Sequence, residues 1–68
     1  MHIHIHINGE EREFPDGSTV ADLLTALGTP RQGVAVALDG EVVRRANWAE
    51  VVVPDGARLE ILTAVQGG

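Results

Sequence analysis

The sequence contains no cysteine, no lysine and no long apolar run, and each absence removes a class of function. Without cysteine there can be no disulfide, no thiolate metal site and no catalytic thiol. The chain must stand on packing alone, and an oxidising compartment is not implied. No stretch approaches the roughly 20 consecutive apolar residues that cross a membrane, and no signal peptide is visible, so a cytoplasmic protein is expected. All five basic residues are arginine, which leaves no side-chain amine for an isopeptide-linked chain of copies. Those five face ten carboxylates, a net charge of −5 that argues against a nucleic-acid partner. It suits instead a protein partner with a positive groove.

Length sets a further bound. Sixty-eight residues make a single domain spanning 1–68. A domain of this size buries only about 60% of its unfolded surface, so an enclosed catalytic cavity would compete with the core. A self-contained enzyme is disfavoured on that ground.

What is present begins with strict alternation. Residues 2–7 read HIHIHI, the period-two signature of a half-buried strand. Asn8-Gly9 is a strong signal for a type I′ hairpin turn, and residues 10–14 then return as a second strand. Pro15-Asp16-Gly17 ends that strand with turn chemistry. Thr19 suits a helix N-cap, with Asp22 completing an acidic variant of the capping box. Val20, Leu23, Leu24 and Leu27 form one apolar stripe, and Gly28 with Pro30 closes the helix. So short a helix does not survive alone in water and must lie on a sheet.

Residues 33–38, GVAVAL, read as a third strand, and Asp39-Gly40 as a second hairpin turn leading to residues 41–43. Residues 44–53 are less regular and carry Trp48, which reads as a core plug. Pro54-Asp55-Gly56 turns the chain into a last strand over residues 58–65. The order β-β-α-β-β-β predicts an α+β fold: a mixed sheet of four to five strands covered on one face by a single helix. The long connection permits the first and last strands to pair in parallel.

The chain then ends TAVQGG. Glycine makes up about 7% of residues, so chance places two at a terminus in roughly 1 of 200 chains. A frayed end is the plain structural reading. A side-chain-free tail, however, can thread a channel too narrow for any Cβ and deliver its own α-carboxylate. Residues 66–68 are accordingly expected to form a flexible tail, with Gly68 the reactive end and no catalytic side chain in the domain.

Strand order, single helix and the terminal Gly67-Gly68 resemble the ubiquitin-like β-grasp fold. The stretches NGEEREFPDGSTVADLL, GVAVALDGEVVRRANWAE and PDGARLEILTAVQGG resemble the ThiS family, the bacterial sulfur carriers of thiamin biosynthesis, over nearly the whole chain from Ile7 onward. The resemblance implies that an adenylating enzyme, ThiF, activates the C-terminal carboxylate with ATP. A sulfur donor then makes it a thiocarboxylate, which the thiazole synthase ThiG consumes. On this sequence the modified group would be the carboxylate of Gly68, approached along Gly67, with Gln66 and Val65 as flanking contacts and no required cofactor. Two positions depart from the family pattern: Asp39 stands where asparagine is common, and Arg44 where proline is common. Within the same fold the alternative is a carrier like the small subunit of molybdopterin synthase, MoaD, which also ends in Gly-Gly.

The first strand does not resemble that family. His2, His4 and His6 share one face, and a two-residue turn sets His6 opposite Glu11 and His4 opposite Glu13. Three imidazoles and two carboxylates on an open face suit Zn²⁺, Ni²⁺ or Cu²⁺. An engineered handle, a β-grasp scaffold with a designed metal site, solvated natural histidines and a natural metal site all fit the pattern. An exposed apolar patch is expected on the uncovered sheet face, shared with these histidines.

Overall fold

The computed structural model describes residues 1–30 and 32–63. Strand β1, His2–Ile7, pairs antiparallel with β2, Glu10–Pro15, across a turn in which Asn8 and Gly9 have φ of 51° and 86°. Both values are left-handed, the type I′ geometry that Asn-Gly favours. Helix α1 covers Val20–Ala26. Strands β3, Val34–Leu38, and β4, Glu41–Val43, form a second hairpin through Asp39 at φ 49° and Gly40 at 85°. A single 3₁₀ turn, Arg45–Asn47, precedes β5, Arg58–Thr63.

The five strands lie in the order β2-β1-β5-β3-β4. β1 and β5 run parallel, with Ile7 opposite Leu59, and the other pairings are antiparallel. This is the mixed, helix-covered sheet expected from the sequence. Strand β3 starts at Val34 instead of Gly33, because Gly33 takes φ 70° and belongs to the preceding turn. The expected extension of the last strand to Val65 lies outside the described residues.

One core lies between helix and sheet. Ile3, Ile5 and Ile7 project from β1 onto Leu23, Leu24 and Val20 of the helix, and Leu59 and Val36 join them from β5 and β3. Ile5, Leu23, Leu24 and Leu59 are completely buried, each stabilising by about 1.5–3 kcal/mol. The histidines of β1 are therefore exposed by the same alternation that buries its isoleucines.

The N-terminal end of the helix is satisfied by its cap and by the loop after β4. Thr19 Oγ1 accepts from Asp22 N at 3.2 Å, and Asp22 Oδ2 accepts from Thr19 N at 3.0 Å, the reciprocal box expected from the sequence. The irregular segment after β4 supplies two more partners. Val20 N donates to Val51 O and Ala21 N to Trp48 O, each at 3.0 Å. These are amides that a helix leaves without internal acceptors. Trp48 is 3% exposed, and its Nε1 donates to Val43 O at 2.9 Å, so it fills the core and ties down the loop. Arg44, before the 3₁₀ turn, has φ −67° and ψ 144°, the conformation a proline would impose. Arginine at this position therefore holds a backbone that proline would also adopt.

Candidate functional site

The strand that leads to the glycine pair is held from both sides by the tips of the two hairpins. Asn8 N donates to Leu59 O at 3.0 Å, continuing the parallel ladder past the end of β1. Its side chain then takes the place of one further rung: Oδ1 accepts from Ile61 N at 2.9 Å and Nδ2 donates to Ile61 O at 3.2 Å. On the other flank Asp39 N donates to Arg58 O at 2.8 Å, and Asp39 Oδ1 accepts from Arg58 N at 2.9 Å. Asn8 and Asp39 are the two non-glycine residues with positive φ among the described residues. The left-handed turn thus aims each short polar side chain at the neighbouring strand. Asp39 needs only an acceptor here, and its carboxylate supplies one.

This double clamp holds β5 at Arg58 and Ile61, and pairing with Val34 of β3 carries the strand to Thr63. Val65, Gln66, Gly67 and Gly68, the residues singled out for tail chemistry, lie outside the described residues.

The uncovered face of the sheet has two halves. On the β1–β2 side stand His2, His4 and His6, with His4 paired to Glu13 and His6 to Glu11 as the turn length required. His4 Nε2 lies 3.4 Å from Glu13 Oε2, with the two side chains 61% and 53% exposed. The five-ligand cluster expected from the sequence is not assembled: among the described residues no three His, Asp or Glu side chains lie close enough to hold an ion. The reason is the strand's own rise of about 3.3 Å per residue, which sets His2 and His6 about 13 Å apart. His2 also faces Pro15, which offers no side-chain ligand.

On the β5-β3-β4 side an apolar group lies beyond Arg58 and Glu60, which stand between it and the histidines. Leu62 pairs with Ala35, and Ala37 with Val42. Leu62 is 62% and Val42 76% exposed. These residues make the exposed patch expected on this face, bordered by Glu60 opposite Ala37. The roles of Asn8 and Asp39 were not foreseen. Their turn positions are a local signal, but the partners of Asn8 lie 53 residues away. No helix among the described residues is long and apolar enough to cross a membrane.

A family model described as the ThiS family matches residues 5–68. The sulfur carrier protein ThiS of Escherichia coli is 31% identical over 64 residues, covering 94% of this chain and 97% of that protein. A thiazole synthase of Paramagnetospirillum magneticum is 45% identical over 62 residues, covering 91% of this chain. The chain spans only 19% of that synthase. The crystal structure of a thiamine biosynthesis protein (ThiS) from Geobacter metallireducens superposes with a TM-score of 0.78 at 33% identity, covering 97% of this chain and 100% of that one.

Proposed function

This chain belongs to the ThiS family, the sulfur carriers of thiamin biosynthesis, and on that premise we propose that it carries sulfur as a thiocarboxylate on Gly68. The observation that carries the reading is the family match over residues 5–68, which takes in Gly67 and Gly68.

With Gly68 as the C-terminus of the mature chain, a carboxylate oxygen attacks the α-phosphorus of ATP on a ThiF-like adenylating enzyme, and pyrophosphate leaves. A carboxylate is otherwise a poor electrophile; as an acyl-adenylate it has AMP as its leaving group. Sulfide, HS⁻, attacks the carbonyl carbon and expels AMP, leaving the thiocarboxylate. Where a donor persulfide delivers the sulfur, its terminal sulfur attacks to form an acyl disulfide. A thiol then cleaves the S–S bond, releasing the thiocarboxylate and carrying the donor sulfur away as a mixed disulfide. A ThiG-like thiazole synthase then takes the sulfur. In this scheme the chain is a substrate that supplies no catalytic side chain. Gly67 provides the slender approach, and Gln66 and Val65 are gripped beside it.

Two further features support the assignment of partners. A segment similar to this chain lies within a single polypeptide named thiazole synthase, which favours direct association with such an enzyme. The apolar group on the open face, Leu62 and Val42 with the two alanines, offers a desolvating surface to the adenylating enzyme, and the net charge of −5 favours a basic rim around it.

The test is intact mass after incubation with a bacterial adenylating enzyme, ATP and a sulfide source. One oxygen should be replaced by sulfur, localised by fragmentation to Gly68. An unchanged mass, with a control carrier converted in parallel, would overturn the assignment. One residue added beyond Gly68 should abolish the conversion.

A further inference from the structure

The carrier reading makes no use of the histidine face. We propose that His4 and His6 of β1 chelate Zn²⁺ or a neighbouring first-row dication, with a carboxylate from Glu13 or Glu11 of β2 as third ligand.

As the side chains stand, no three of them converge on one ion, so the site forms when the exposed side chains of His4, His6 and one glutamate rotate toward a common point. Same-face residues two apart on a strand stand about 6.6 Å apart at the backbone. Two imidazoles leaning toward each other can therefore both reach one ion at the usual Zn–N distance of about 2.0–2.1 Å. The backbone beneath them is already fixed on both sides. β1 lies between β2 and β5. His4 N donates to Asp55 Oδ1 at 2.7 Å, His4 O accepts from Gly56 N at 2.7 Å, and His6 N donates to Ala57 O at 3.0 Å. Chelation then requires only side-chain rotation, and these side chains are exposed.

Register selects this pair over His2 and His4. His4 and His6 each have a glutamate directly opposite, whereas His2 faces Pro15. Glu13 already stands 3.4 Å from His4 Nε2, close to where a shared ion would sit. On the other flank His6 is paired with Arg58, whose charge opposes a cation and favours an ion displaced toward β2. Two imidazoles and one carboxylate leave a coordination position for water.

Zn²⁺ titration of the intact chain by calorimetry, with His2→Thr, His4→Thr and His6→Thr in parallel, tests the assignment. Threonine suits an exposed strand position, and circular dichroism checks that each variant folds. One equivalent of Zn²⁺ should bind. His4→Thr and His6→Thr should each weaken binding at least tenfold, and His2→Thr less than threefold. Any other ranking, or no saturable binding, overturns the proposal. The wild-type chain gives a second reading by NMR: Zn²⁺ should shift the imidazole resonances of His4 and His6 and the Glu13 carboxylate before those of His2. Equal movement of all three histidines would mark independent surface binding and sink the idea. Neither measurement depends on Gly68 or on ATP.

Discussion

Replacing Asn8 with glycine isolates the hairpin-tip clamp on β5. Glycine accepts the left-handed φ of 51° at this position, so the turn survives while both side-chain bonds to Ile61 disappear. Each neutral hydrogen bond contributes a net ~0.5–1.5 kcal/mol, and because both lie at an exposed site the lower half of that range applies. The lost pair therefore amounts to about 1–2 kcal/mol. Two smaller terms oppose each other: relief of the left-handed backbone and the extra chain entropy of glycine, each about 1 kcal/mol or less. A net destabilisation of about 1–2 kcal/mol remains. For a domain of this size, each kcal/mol corresponds to a fall of about 4–8 °C in the melting midpoint. Thermal unfolding followed by circular dichroism measures the sum, and amide hydrogen exchange locates it. Protection should fall most at Ile61, whose amide loses its acceptor, while Leu59 in the buried ladder keeps its protection. Asn8→Asp makes the geometry testable in a second way. It keeps the acceptor for Ile61 N but turns a carboxylate oxygen toward Ile61 O, so it should be no more stable than Asn8→Gly. If Asn8→Gly melts with the wild type and Ile61 stays protected, the clamp contributes nothing and the reasoning fails.

Asp39→Asn keeps the acceptor for Arg58 N and should change stability by less than about 0.5 kcal/mol, whereas Asp39→Ala loses that bond and strains the turn, at about 1.5–3 kcal/mol by urea titration. Thr19→Ala removes half of the capping box and should destabilise by about 1 kcal/mol; a null result would mean that the amides of Val20 and Ala21, bonded to Val51 and Trp48, secure the helix end alone. Trp48→Phe leaves Val43 O without its donor and a gap in the core, and should cost about 1–3 kcal/mol in chemical denaturation; no loss would show that solvent replaces the indole.

Local chemistry made most of the fold legible. Both I′ turns, the capping box and the apolar stripe of α1 depend on residues a few positions apart, and their spacing carries the signal. The parity that sets His4 against Glu13 followed from a turn of known length. The spread of the histidines along β1 was also implicit in the rise of a strand, but the resemblance of an alternating row to a ligand set hid it. The clamps were less accessible. Nothing near Asn8 indicates that its amide will bond Ile61, because that contact exists only once β1 and β5 lie side by side. At the tail, sequence supplied the chemistry and the family match extends over it, while the described geometry ends at Thr63.

The parallel pairing of β1 and β5 has a mechanical consequence. A partner that draws the segment after Thr63 into a narrow channel pulls along the axis of β5. Against β1 that load acts in shear: the bonds joining His4 to Gly56, His6 to Ala57 and Asn8 to Leu59 are strained together, with the Asn8 amide adding its two at the loaded end. A hairpin pulled apart at its open end surrenders its rungs one at a time. Here the central strands must slip as a unit, so the domain can be handled by its last residues and remain folded.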